Sequence, residues 1–179
     1  HDLLSELAGV DVAAKQVERE AERLGREIAR DERGTVEVET DRDLPRALYL
    51  GLDGTGIPMR KCEVEGRAGK QLDGSSRTRE VKLCTVWSAE KCDNEGVPVR
   101  DKGSVTYTAA IESAASSDTD KAPSDFASRA VREATRRRFE QAERQVVLGD
   151  GAPWIWNLAS EQFPDAIQIV DRYHANEHI

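Results

Sequence analysis

The sequence lacks the features of membrane proteins, secreted proteins and disulfide-stabilised domains. No apolar run approaches the length of a membrane span, and no signal-peptide pattern opens the chain. The three cysteines, Cys62, Cys84 and Cys92, are odd in number and not closely paired, which favours free thiols over a disulfide or zinc framework. We therefore expect a cytoplasmic protein with no membrane partner, and we expect Cys84, inside an apolar stretch, to lie in the core.

A surplus of positive charge is also absent. The chain has 26 Lys and Arg against 34 Asp and Glu, a net charge of −8 and an isoelectric point near 5.0. Because Lys and Arg bind phosphates, a protein that holds nucleic acid over its whole surface is excluded, and any such contact has to be local. Methionine is scarce too. Met59 is the only one and the chain begins at His1, which indicates a piece of a longer protein.

What the sequence does contain is a repeated pattern, an apolar strand followed at once by an aspartate. The acids and the runs before them are Asp53 after residues 47–52, Asp150 after 145–149, and Asp171 after 166–170. The first run suits a central strand covered on both faces, with Asp53 at its tip and a sharp turn at the glycines that follow. In an open α/β sheet, ligands bind outside the carboxyl ends of the strands, so the pattern predicts an acidic cleft at one sheet edge.

The order of elements predicts the fold class. Apolar periodicity predicts helices over 2–32, a linker over 33–46, strands at 47–52, 81–88 and 104–111, a helix capped by Ser124, and then alternating strands and helices to residue 179. A three-strand meander followed by alternating helices and strands is the ribonuclease-H-like layout. We therefore predict an α/β protein, a ribonuclease-H-like mixed sheet flanked by helices, with an amino-terminal helical hairpin. In that layout the first and fourth strands are neighbours, which would place Asp53 beside Asp150.

Residues 1–32 form a separate helical region, and two interpretations fit it. Helix, glycine-bearing turn and second helix outline a helix-turn-helix, in which Lys15 and Arg19 would contact DNA. The second helix carries as many acids as bases, which favours a hairpin that packs on other parts of the protein.

The loop 59–80 holds the best local basic patch of the chain. Its candidate DNA-binding residues are Arg60, Lys61, Arg67, Lys70, Arg77 and Arg79. A solvated hairpin is an equally good interpretation of this loop. Trp154 and Trp156, in the helix after Pro153, are expected to pack that helix on the sheet.

Two aspartates on neighbouring strand ends repel each other unless a cation lies between them. Mg²⁺ and Mn²⁺ prefer carboxylate and water oxygens, and two such ions about 3.5–4 Å apart can clamp the attacking and leaving oxygens of a phosphodiester displacement. The alternative for each Asp-Gly pair is a turn without chemistry.

Several long motifs resemble bacterial insertion-sequence transposases of the ISKra group, which are similar to Mutator-like transposases with an Asp-Asp-Glu core. The motifs are LGLDGTGIPMR at 50–60, EGRAGKQ at 65–71, TREVKL at 78–83, VLGDGA at 147–152, WIW at 154–156 and DRYHANEH at 171–178. The resemblance covers the chain from about Leu44 on, with the catalytic core at 47–179, and loosely the amino-terminal helices. It implies an enzyme that cleaves DNA at transposon ends and transfers strands, working as a homo-oligomer with two Mg²⁺ or Mn²⁺ ions. It implies that Asp53 and Asp150 are the first two catalytic acids and metal ligands. Asp171 and His174 match a signature of uncertain role.

The chain departs from the family pattern at its end. The catalytic glutamate of this superfamily lies well downstream, on a helix after an insertion, and the sequence stops at Ile179. The resemblance therefore implies that the core is truncated, that the third acid is missing and that this polypeptide alone is inactive. Glu177 would substitute only if the last helix pointed it into the cleft.

Three other functions fit parts of the sequence. The tail matches the His-x-x-Glu-His pattern of inverted zinc proteases, with His174 and His178 as zinc ligands and Glu177 as general base. The Asp-Gly turns also resemble the phosphate loops of sugar kinases and actin-like ATPases, although those need a second similar domain. The last alternative is a non-catalytic remnant that binds DNA through residues 2–32.

Overall fold

A computed structural model describes residues 13–32, 34–41, 43–69, 71–112 and 124–171. The chain divides into two compact units, residues 1–37 and 38–179. Within the described ranges, no helix is long and apolar enough to cross a membrane. The first unit contains one described helix and the second contains the sheet.

The helix of the first unit, α1, spans Ala14–Asp31 and none of its residues is buried. Arg23 pairs with Glu20 at 2.8 Å and with Glu27 at 2.6 Å, the spacing at which side chains of successive helical turns meet. The second helix of the predicted hairpin is therefore confirmed. Its partner, predicted within 2–8, lies outside the described residues, so the hairpin and the helix-turn-helix both stay predictions.

The second unit is an α/β fold built on a five-stranded mixed sheet. The strands of this sheet are β1 (Ala47–Pro58), β2 (Thr78–Ser88), β5 (Thr106–Glu112), β6 (Arg144–Gly149) and β7 (Ile167–Val170), in the order β5-β2-β1-β6-β7. The helices are α2 (Lys61–Val64), α3 (Asp125–Arg136) and α4 (Pro153–Gln162), with a 3-10 turn at Phe139–Gln141. A small hairpin of β3 (Lys91–Cys92) and β4 (Pro98–Val99) follows β2.

Strand directions divide the sheet into two halves. β1, β2 and β5 pair antiparallel in sequence, and β6 and β7 run parallel to β1. The predicted mixed sheet with a three-strand meander is thus confirmed, and the fourth strand of the sheet lies next to the first, as expected.

The core lies on one face of this sheet, under α3 and α4. β1 alternates between buried and partly exposed positions, and Leu48, Leu50 and Leu52 point into the core. Cys84 is fully buried there, as predicted, and Phe126 of α3 packs edge-on against Trp154 of α4 at a centroid distance of 5.6 Å. Trp154 and Trp156 both pack against the core cluster, which confirms their structural role.

Local sequence signals position α3 and α4. Ser124 caps α3, because its hydroxyl oxygen accepts a hydrogen bond from the backbone N–H of Ala127 at 3.0 Å. Pro153 occupies the first turn of α4, where a missing N–H costs nothing. Both helix starts agree with the sequence prediction.

Three sequence predictions about the sheet and its loops are wrong. β1 is covered on one face, whereas burial on both was expected, and it continues through Asp53 to Pro58 because the residues beyond Asp53 pair with β2. The loop 59–80 contains the short helix α2 and an isolated bridge between Ala68 and Ser75.

The predicted linker, 33–46, crosses the boundary between the two units. Its later part contacts α3: the backbone N–H of Glu39 donates to the carbonyl of Arg136 at 2.9 Å, and the Glu39 carboxylate accepts from the Arg136 guanidinium at 2.7 Å. These bonds attach the chain before β1 to the end of α3.

Candidate functional site

The strand register aligns Asp53 with Asp150. In the parallel pair of β1 and β6, Gly51 lies opposite Leu148. Two residues further along each strand, the same register brings Asp53 level with Asp150, which directly follows β6. Neighbouring strands are about 4.8 Å apart, so Asp53 and Asp150 lie close together on adjacent strands, as predicted.

Asp171 extends this row to the third parallel strand. Gly149 pairs with Val170 in the register of β6 and β7, so Asp171 falls level with Asp150. The backbone N–H of Asp171 donates to the carbonyl of Gly149 at 2.8 Å, which continues the ladder past the end of β7. Because side chains alternate along strands, the three aspartates share one sheet face, opposite the face that packs on α3 and α4.

A cavity of about 330 Å³ joins the three carboxylates. Asp53, Asp150 and Asp171 all line it, and its walls include Trp87 and Arg100. The prediction that the aspartates after the apolar strands meet in one acidic cleft therefore agrees with the structure. One detail differs, since Asp53 lies within β1 instead of at its tip.

Two carboxylates of the row are oriented by backbone donors. Oδ1 of Asp53 accepts from the N–H of Gly54 at 2.7 Å, and Oδ1 of Asp150 accepts from the N–H of Ala152 at 2.7 Å. The second bond closes the turn that leads into α4. In the described part of the chain, the other oxygen of each carboxylate accepts no hydrogen bond. Each acid therefore offers one oxygen to a ligand.

The donor set suits a hard cation without forming a finished metal centre. Carboxylate oxygens are the ligands that Mg²⁺ and Mn²⁺ prefer. Within the described ranges, however, no three Asp, Glu, His or Cys side chains are grouped closely enough to hold a metal ion. Asp53 and Asp150 would hold a divalent ion, with water or substrate oxygens filling the remaining positions.

The structure describes most of the predicted DNA-binding residues of the loop 59–80, and their role in DNA binding remains a prediction. Arg60, Lys61 and Arg77 are exposed, and Arg67 is half-buried. The guanidinium of Arg79 donates to the carbonyl of Ile111 at 3.2 Å, so this arginine connects β2 to β5. Lys70 lies outside the described residues.

On α1, Lys15 and Arg19 are exposed. Lys15 pairs with Glu18 at 3.3 Å. The two bases belong to the other compact unit, so a role for them in DNA binding remains a prediction. The proposed zinc motif of His174, Glu177 and His178 lies outside the described residues, as does the signature histidine His174.

Two cavity residues, Trp87 and Arg100, were not expected from the sequence. Trp87 stacks on Tyr49 at a centroid distance of 5.7 Å, and the guanidinium carbon of Arg100 lies 4.4 Å from the centre of the Trp87 ring. Strand alternation places Trp87 on one of two faces, but only the pairing of β1 with β2 shows that this is the Asp53 face. No sequence signal marks Arg100.

A scan against models of known protein families finds no match, and a search of curated proteins finds no related sequence. The function is therefore inferred from the site and from the motifs described above.

Proposed function

We propose that this chain is the catalytic core of a DNA transposase with a ribonuclease-H-like fold. The proposed activity is metal-dependent cleavage of phosphodiester bonds at transposon ends followed by strand transfer. The proposal includes DNA as substrate and partner, a homo-oligomeric active complex and two Mg²⁺ or Mn²⁺ ions.

The alignment of Asp53 with Asp150 on neighbouring parallel strands is the observation that supports this function best. A strand order of β5-β2-β1-β6-β7, with an antiparallel meander and two parallel strands, is the order expected of a ribonuclease-H-like sheet. The motif resemblance assigns the first two catalytic acids to the same two aspartates. The motif resemblance and the strand alignment therefore both support a role for Asp53 and Asp150 in the proposed activity.

In the proposed mechanism, Asp53 and Asp150 would hold divalent ions through their carboxylate oxygens. When bound, such ions supply charge stabilisation for the attacking and leaving oxygens of an in-line phosphoryl displacement. The chain contributes the fixed spacing: β1 and β6 hold the two acids at one level of the sheet, and the N–H groups of Gly54 and Ala152 orient them. Electrostatic repulsion between the carboxylates raises their affinity for a cation.

A divalent metal titration tests the proposal directly. Asp53→Asn and Asp150→Asn each remove a charged ligand while keeping the side-chain shape, so we expect either change to weaken Mn²⁺ binding at least about tenfold in isothermal titration calorimetry. Asp165→Asn is a matched control, since Asp165 is exposed in the turn before β7 and lies outside the cavity.

Equal Mn²⁺ affinity in the wild type and the Asp53→Asn and Asp150→Asn variants would overturn the assignment. Absence of any Mn²⁺ binding by the wild type would do the same. An effect of Asp165→Asn as large as that of the two site variants would show that general charge, and not the site, determines the affinity.

A further inference from the structure

The acidic cavity contains a base. Of the described residues that line it, Arg100 is the only Lys or Arg, and it follows the hairpin of β3 and β4. Asp53, Asp150 and Asp171 line the same cavity. A positive charge among three carboxylates is expected to pair with one of them, but no described carboxylate lies within ion-pairing distance of Arg100.

The guanidinium of Arg100 contacts the ring of Trp87 and not a carboxylate of the described residues. The guanidinium carbon lies 4.4 Å from the centre of the indole ring, within the range of a cation–π contact. Arg100 donates no hydrogen bond to any described residue, so its five N–H groups remain for a ligand. The contact with Trp87 restrains the guanidinium of Arg100 without using its N–H groups.

Gly51 makes room for this arrangement. A Cβ atom added at Gly51 would lie 2.9 Å from Cζ3 of Trp87 and 2.8 Å from Oγ1 of Thr85. The missing side chain lets the indole lie across β1, where it also stacks on Tyr49. Gly51, Trp87 and Arg100 therefore form a layered support, which we call the arginine platform, on the same sheet face as the aspartates.

The arginine platform lies close to the aspartates along the strand. Gly51 precedes Asp53 by two residues on the same face, which corresponds to about 7 Å along β1. Neighbouring phosphates of a nucleic-acid strand are separated by a similar distance. A strand with one phosphate at Asp53 and Asp150 would bring the next phosphate to Arg100.

We infer that Arg100 is a substrate-positioning residue that binds a backbone phosphate next to the scissile one, with Trp87 as its support. Arg binds phosphate oxygens through two parallel N–H groups, a geometry that Lys lacks. This inference rests on the proposed function, because it takes the nucleic-acid strand at the aspartates as the ligand. In this inference, the positive charge of Arg100 offsets the repulsion between the aspartates and the phosphates of the nucleic-acid strand.

Binding of a fluorescein-labelled single-stranded oligonucleotide tests the inference. The measurement is made in Ca²⁺ by fluorescence anisotropy at several salt concentrations. We expect Arg100→Gln to weaken binding about tenfold and to reduce the steepness of log K against log salt by about 0.7, the value for one lost phosphate contact on a single strand. Lys102→Gln makes the same charge change two residues later, at an exposed position outside the cavity, and is expected to change affinity less than about twofold.

Two further variants separate geometry from charge. Arg100→Lys retains the charge but loses the paired donors, so we expect affinity between those of the wild type and Arg100→Gln. Gly51→Ala retains every charge but displaces the Trp87 ring, so it should weaken binding while circular dichroism shows a folded protein.

Equal effects of Arg100→Gln and Lys102→Gln would overturn the inference, as would an oligonucleotide affinity too weak to measure in the wild type. The proposed function fails separately, through the Mn²⁺ titration. If Asp53→Asn left Mn²⁺ affinity unchanged while Arg100→Gln still weakened oligonucleotide binding, the proposed nuclease function would be wrong. The phosphate site at Arg100 would then stand without it.

Discussion

The backbone N–H of Asp171 lies 2.8 Å from the carbonyl oxygen of Gly149, so the pairing of β6 and β7 continues one residue beyond β7. Asp171 is thereby fixed beside Asp150, but it is one strand further than Asp150 from Asp53. We expect Asp171→Asn to weaken Mn²⁺ binding less than Asp150→Asn does, because strand spacing puts the Asp53 and Asp171 backbones about 10 Å apart. Calorimetric titration of both variants measures this order, and a larger effect at Asp171 would move the metal site toward β7.

Loss of the Asp53 charge should remove catalysis in the full-length protein. Asp53→Asn keeps the acceptor that bonds the N–H of Gly54 but lowers the attraction for a divalent ion. We expect Mg²⁺-dependent nicking of plasmid DNA to fall by at least about a hundredfold. Asp165→Asn should nick at the wild-type rate, and undiminished nicking by Asp53→Asn would exclude this residue from the site.

Substitution of Gly149 should destabilise the sheet at the site. A Cβ atom there would lie 2.5 Å from Cγ2 of Ile155, which is fully buried in α4. We expect Gly149→Ala to lower the free energy of unfolding by about 1–3 kcal/mol, measured by urea denaturation. At Gly151 an added Cβ meets nothing within 4 Å, so Gly151→Ala should leave stability nearly unchanged. Equal losses in the two variants would show that close packing at Gly149 is not the cause.

Arg137 is expected to be essential for stability. Its side chain is only 7% exposed, and Nη1 donates to the carbonyls of Val86 and Ser104 and to the hydroxyl of Thr106. Removing a buried charged donor leaves its acceptors unpaired. Arg137→Met should therefore lower the free energy of unfolding by about 3 kcal/mol. Arg144→Met, at an exposed position, is the control and should cost less than about 0.5 kcal/mol.

Glu133 should make stability depend on acid pH. Burial alone would raise the pKa of Glu133, but hydrogen bonds from Arg136 and Thr106, together with the charges of Arg136 and Arg137, lower it below its ordinary value. A lowered pKa contributes stability that is present above the unfolded-state pKa, about 4.3, and is lost as the pH falls through the folded-state pKa.

Glu133→Gln tests this dependence through urea denaturation at several pH values. The stability difference between wild type and Glu133→Gln should be largest near neutral pH and shrink as the pH falls below about 4. A difference that stays constant from pH 7 to pH 3 would contradict the lowered pKa.

The sequence predicted most elements of the sheet because their signals are local. Alternation identified β2, an apolar run identified β6, the Ser124 hydroxyl marked the start of α3, and Pro153 marked the start of α4. The row of aspartates could also be predicted from the sequence, since each aspartate follows an apolar run.

The remainder depended on pairing between distant residues. Gly54 and Gly56 have the local character of a turn, but they lie opposite Lys82 and Glu80, and this pairing keeps β1 extended beyond Asp53. Lys82 itself is fully buried, with Nζ 4.5 Å from the centre of the Trp154 ring. The presence of a lysine in a strand does not predict such an environment. The support of Arg100 by Trp87 likewise follows only from register.

The unequal lengths of β1 and β6 have a consequence for motion. β1 is bonded to β6 only up to Gly51, whereas its bonds to β2 continue to Pro58. Asp53 therefore stands just past the step where the sheet loses its parallel half, and the antiparallel part beyond it can bend without opening the parallel pairs. Amide protons past the step should therefore exchange with solvent earlier than those between Ala47 and Gly51.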